Sequence, residues 1–129
     1  MIDTKVDICG IEFKNPVIAA SGTFGFGREY EEYFDISKLG GICTKGLTLH
    51  KKEGNKGIRI YEVASGLLNS IGLQNPGIDG FIRDELIYME ELDTVILANI
   101  GGGTIEEYIE AIIKLNNTNI DIIELNITY

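Results

Sequence analysis

"TVILANIGGGTIEEYIEAIIKLNNTNIDIIELN", residues 94–126, decides the fold. Thr94 to Ile100 is a short apolar run that predicts a buried strand, and it ends at Asn99 and the glycines Gly101–Gly103. Thr104 followed by Glu107 is a capping box, which opens a helix. Its apolar face is expected to be Ile105, Tyr108, Ile109, Ile112 and Leu115, and Asn116-Asn117 stops it. A second apolar strand, residues 120–126, follows. Strand, capped helix and strand in this order predict a parallel βα unit.

Working back toward the N-terminus, the same pattern repeats. Residues 78–92 carry Phe81, Ile82, Leu86 and Met89 at three- and four-residue steps, which predicts a helix. Val17–Ala20 and residues 40–44 read as two further buried strands. Between the first two strands, Arg28–Phe34 has helical spacing, with Tyr30, Tyr33 and Phe34 on one face. Residues 58–63 look like a hairpin arm, and 66–77, rich in Gly and Asn, like a loop with structured turns. Residues 5–9 and 11–13 flank Gly10 as a hairpin. The chain is therefore expected to be one α/β domain, residues 1–129, with four βα units after an N-terminal β-hairpin.

Composition narrows the function. The 129 residues suffice for one core. Eleven Lys and Arg against twenty Asp and Glu give a net charge of -9, and the scattered cations argue against nucleic acid. No apolar stretch approaches ~18 residues, so no membrane span is expected. The start MIDTKVDICG lacks a basic, then apolar, signal segment, which predicts a cytoplasmic address. Cys9 and Cys43 form no CxxC pair and are expected as buried free thiols. His50 is the sole histidine, and no metal site or Ser-His-Asp arrangement is expected around it.

Chemistry is predicted at the strand ends. The four strands run out at Ser21-Gly22, Thr44-Lys45-Gly46, Asn99 with three glycines, and Glu124-Leu125-Asn126. Ligands bind at the carboxyl edge of parallel sheets. Apart from Glu124, the set is neutral and hydrogen-bonding with one cation, which suits a flat polar ring such as a flavin. Neither a P-loop nor a GxGxxG spacing is present. Taken alone, Gly101–Gly103 also suits an ordinary βα turn, Lys45 a surface position and Asn69 a turn former.

Five stretches in order, "NPVIAASGTFGFG", "GGICTKGLT", "NSIGLQNPG", "ILANIGGGT" and "IIELNIT", resemble the dihydroorotate dehydrogenases, above all the class 1B, NAD-linked type. That resemblance implies a TIM (β/α)8 barrel holding FMN, and oxidation of dihydroorotate to orotate in pyrimidine synthesis. It implies cofactor contacts from Ser21, Gly22, Thr44, Lys45, Asn99 and Asn126. It implies substrate contacts from Lys45, Asn69, Ile71, Gly72, Leu73 and Asn126. FAD and a 2Fe-2S cluster would sit on a partner iron–sulfur flavoprotein subunit, and a homo-oligomer is expected.

The catalytic cysteine of the family falls at Tyr129. A phenol, pKa near ~10 against ~8.5 for a thiol, is the poorer base at neutral pH, so no catalytic residue is assigned. A full barrel takes about 250 residues. The chain is therefore expected to be the N-terminal half, truncated at the fourth strand, with no turnover by itself. A non-catalytic remnant, or another flavin-dependent barrel related to dihydropyrimidine dehydrogenase, remains the alternative.

Overall fold

The computed structural model describes residues 2–127. The chain opens with an antiparallel hairpin, β1 (Val6–Ile8) and β2 (Ile11–Phe13). Cys9 and Gly10 form its two-residue turn at φ 53° and 87°, the left-handed backbone that suits a hairpin's twist. Cys9 is exposed at this tip, contrary to the expectation of burial, while Cys43 is buried.

Next come β3 (Ile18–Ala19), single 3-10 turns at Arg28–Tyr30 and Ile36–Lys38, and β4 (Gly41–Cys43). A second hairpin, β5 (Ile60–Val63) and β6 (Gly66–Asn69), follows. A helical segment is built from α1 (Gly77–Gly80), a π-helical stretch (Phe81–Leu86) and α2 (Ile87–Met89). The chain continues through β7 (Val95–Gly101), α3 (Ile105–Leu115) and β8 (Ile122–Asn126).

Strands β3, β4, β7 and β8 form one parallel sheet in that order. Neighbours in the sheet follow chain order, as successive βα units of a (β/α)8 barrel do and doubly wound sheets do not. Side chains alternate across a strand, so each strand serves two faces. Ile42, Ile96, Ala98 and Ile100 turn outward against Ile78, Phe81, Met89, Ala111 and Leu115. A large side chain fully buried in this way contributes about 1.5–3 kcal/mol. On the opposite face Phe13, from the first hairpin, packs on Cys43 and Leu97 and closes the amino end of the sheet.

Three segments depart from the sequence reading. Arg28–Phe34 forms one 3-10 turn and no longer helix. Gly27 enters it in a left-handed conformation with no side-chain cap, so no capping side chain is there to satisfy the first amides of a longer helix. Tyr33 is left exposed, and Tyr30 instead stacks on Phe24 at 4.5 Å. Residues 66–69 form β6 rather than loop. Both arms of that hairpin are exposed throughout, so no inside–outside alternation marks it in the sequence.

On α3 the buried side is Ala111 and Leu115, with Tyr108 and Ile112 partly covered, whereas Ile105 and Ile109 are exposed. The apolar sector is wider than the contact, and the surplus falls on its flank. Among the described residues no helix is long and apolar enough to cross a membrane.

Candidate functional site

The register of the two last strands builds the centre of the site. Asn99 on β7 lies directly opposite Glu124 on β8, and Gly101 opposite Asn126. Asn99 is 3% exposed, and its backbone N–H donates to Thr44 Oγ1 at 3.1 Å. Its Nδ2 donates to the Glu124 carboxylate. Its Oδ1 is buried and accepts no hydrogen bond among the described residues. An orphaned buried acceptor costs about 1–3 kcal/mol, so its presence needs a reason.

Ser21, Asn99, Glu124 and Asn126 line one cavity of about 320 Å³ with Leu125 and Ile127. A second, of about 450 Å³, shares Asn126 and takes in Leu73, Gly101–Gly103, Thr48 and His50. Lys45 lines a third, of about 400 Å³, beside Gly25, Arg28 and Lys51. The loop after β3 is held there by Arg28, whose Nε donates to Glu85 at 2.9 Å while its guanidinium sits 4.1 Å over the Tyr88 ring. The Lys45 amide in turn donates to the Gly25 carbonyl at 2.9 Å.

The structure thus gathers Ser21, Asn99 and Asn126 around one space and sets Lys45 in a neighbouring one. Thr44 is fully buried, with its hydroxyl accepting from Asn99 instead of lining a cavity. Gly22 is exposed at φ 109°, with open space where a Cβ would stand. Asn69 stands at the end of the exposed β5–β6 hairpin and is not brought to the other residues. The Ile71 carbonyl accepts from the Asn55 amide, and Gly72 packs so closely on Asn55 that a Cβ would approach its N to 2.6 Å. Leu73 does reach the site: a Cβ on Gly46 would meet it at 2.9 Å and Asn99 Oδ1 at 3.1 Å. Tyr129 lies outside the described residues.

Two residues escape the sequence reading. Asn75, 5% exposed, accepts from the Thr48 and Gly77 amides and donates to the Leu73 carbonyl and Thr48 hydroxyl. It holds Leu73 at φ 52° against the rim. An Asn directly before Pro76-Gly77 is a turn-forming signal that points to it. Glu124 stands apart in the sequence as the odd charge in a neutral set, and no signal there pairs it with Asn99.

Burial pushes the Cys43 thiol up to about 12, and the nearby Glu124 carboxylate pushes the same way. This thiol is a packed, inert group rather than a nucleophile. Overall the rim offers a buried amide acceptor, a second amide and a hydroxyl around one cavity, and the Lys45 ammonium in another, with Gly46 packed on Leu73 and Asn99 Oδ1.

Comparison with known proteins gives the family. The family model described as dihydroorotate dehydrogenase matches residues 3–129. The chain is 68% identical over 128 residues to the dihydroorotate dehydrogenase B (NAD(+)) catalytic subunit of Petrotoga mobilis, covering 99% of this chain and 43% of that protein. It is 52% identical to the subunit of that name from Caldicellulosiruptor bescii, over 98% of this chain and 42% of the relative. For Thermoanaerobacter pseudethanolicus the figures are 50%, 98% and 42%. The chain spans less than half the length of these curated relatives. With strands stacked in barrel order, polar groups at their carboxyl ends and a family match across nearly every residue, the chain belongs to the dihydroorotate dehydrogenase family.

Proposed function

We propose that this chain supplies part of the flavin and substrate site of an FMN-dependent enzyme that oxidises dihydroorotate to orotate. The observation that carries the reading is Asn99: an amide 3% exposed, at the carboxyl edge of a parallel sheet, with an acceptor that nothing among the described residues satisfies. A ligand with an N–H donor resolves that cost. A flat ring with polar edges suits the rim, because Ser21, Asn99 and Asn126 border one cavity, and Gly46, having no Cβ, lets Leu73 and Asn99 Oδ1 pack close beside it. FMN, when bound, supplies the acceptor for the hydride leaving substrate C6. Asn99, Asn126 and Ser21 would hold the ring, and the Lys45 ammonium would balance negative charge on the reduced ring or on the substrate carboxylate. Ile71, Gly72 and Leu73 would carry the substrate edge, with Asn69 delivered by its hairpin.

The names of the relatives, catalytic subunits of an NAD(+)-linked enzyme, support a partner subunit for electron transfer; that this partner is an iron–sulfur flavoprotein carrying FAD and a 2Fe-2S cluster rests on the sequence resemblance. A continuing barrel is supported by the row Ile105, Ile109 and Ile113 exposed on α3, and by the edge of β8 that pairs with no strand among the described residues. Such an edge is a template for a further strand. It also supports self-association, and loose FMN retention, for the 129-residue polypeptide by itself.

Anaerobic titration tests the reading. The protein carrying this chain is expected to bind FMN and to lose the visible flavin absorbance when dihydroorotate is added. The 129-residue polypeptide alone is expected to form no orotate. A protein that takes up no FMN, or whose flavin ignores dihydroorotate, refutes the assignment.

A further inference from the structure

The unsatisfied atom of Asn99 is set by its neighbour. An ionised carboxylate has acceptors only, so the amide next to it must turn its Nδ2 that way. Glu124 lies directly opposite on β8 and receives this bond. The opposite end of the amide, Oδ1, then lies against the buried backbone of Gly46, 3.1 Å from where a Cβ would stand, and accepts no hydrogen bond among the described residues. Without the carboxylate, the amide can rotate by half a turn and offer either a donor or an acceptor at almost the same point.

We propose that Glu124 is a positioning residue: its carboxylate fixes the orientation of the Asn99 amide, so that the site presents an acceptor and selects a ligand donor there. This deepens the flavin reading and rests on it for the identity of the ligand. An oxidised flavin ring carries several acceptors and one imide N–H, so a fixed acceptor on the protein restricts the ways the ring can lie. Glu124 is exposed and Asn99 is buried, so the contact joins a solvated charge to a buried amide that would otherwise be free to choose. The hydrogen bond is charge-assisted, the stronger kind.

Two measurements test it. The first reads the side-chain amide of Asn99 by NMR in protein without flavin, assigned by its loss in Asn99→Ala. The two amide protons should be widely separated in the wild type, closer in Glu124→Gln, and nearly degenerate in Glu124→Ala. An amide signal indifferent to both Glu124 variants overturns the proposal. The second is a double-mutant cycle on FMN affinity. Glu124→Ala should weaken FMN about tenfold, Glu124→Gln by less because its carbonyl can still accept, and the double variant no more than Asn99→Ala alone. Additive losses overturn the proposal, since Glu124 would then act by some route other than Asn99. If the amide signature responds as stated but wild-type protein binds no FMN, the flavin reading fails while the positioning contact stands.

Discussion

On β7, Ile96, Ala98 and Ile100 turn to one face of the sheet, while Leu97 and Asn99 turn to the other. The first face is covered by the helical segment and α3, and its residues are 0–3% exposed. The second is plugged by Phe13 at the amino end and turns polar toward the carboxyl end, where it opens into cavities. One strand thus serves stability on one side and, in the proposed function, ligand chemistry on the other. The difference teaches where an error in the sequence is tolerated: the covered face is fully buried, and the open face carries a buried acceptor that costs stability, a cost that the proposed ligand would offset.

Phe81→Ala gives the largest expected break in that comparison. The ring is fully buried on the covered face, and its loss should cost about 3–5 kcal/mol in chemical denaturation. FMN affinity of the remaining folded protein should not change; a parallel loss of affinity would show that the two faces are not separable. Gly46→Ala addresses the open face. Its Cβ would press on Leu73 and Asn99 Oδ1, costing about 1–3 kcal/mol, and flavin titration should show weaker binding as well. An unchanged affinity would remove Gly46 from the site.

Thr104→Ala sharpens the comparison at its border. Thr104 Oγ1 accepts from the Glu107 amide at 3.3 Å, and Glu107 accepts from the Gly103 amide at 2.6 Å. Losing the cap should cost about 1 kcal/mol by urea titration and shift the glycine turn that borders the cavity. The smallest effect concerns the thiols. At neutral pH a thiol reagent should label exposed Cys9 quickly and Cys43 only on unfolding. Because folding raises the Cys43 pKa from 9.0 to about 12, the protonated form is favoured in the native state. Its contribution is complete below pH 9 and is lost as pH rises toward 12. Cys43→Ala should flatten that alkaline decline; fast labelling of native Cys43 at neutral pH would contradict its burial.

Much of the fold is legible in the sequence. The alternation of short apolar runs with the capped helix after Thr104 marks a parallel sheet, and β3, β4, β7 and β8 stand where those runs lie. The helix near residues 78–92 is legible through Phe81, Leu86 and Met89, although the five-residue step from Phe81 to Leu86 is met by a π-helical turn. The strand β6 is not legible, because an exposed hairpin carries no burial pattern. The short turn at Arg28 reads as more helix than it is, because apolar spacing alone ignores the missing cap at Gly27. In the site, Asn99 and Asn126 are legible as polar ends of apolar strands.

The amino-acid sequence by itself determined the family, the parallel α/β class and the polar character of the strand ends, since these depend on residue order within single segments. Tertiary structure alone decided which of those ends meet. Register between β7 and β8 pairs Asn99 with Glu124, packing turns Lys45 into a neighbouring cavity, and Asn75 holds Leu73 at the rim. The physical reason is that strand periodicity tells a side chain which face to take, but only the alignment of one strand against the next tells it which partner it will find there.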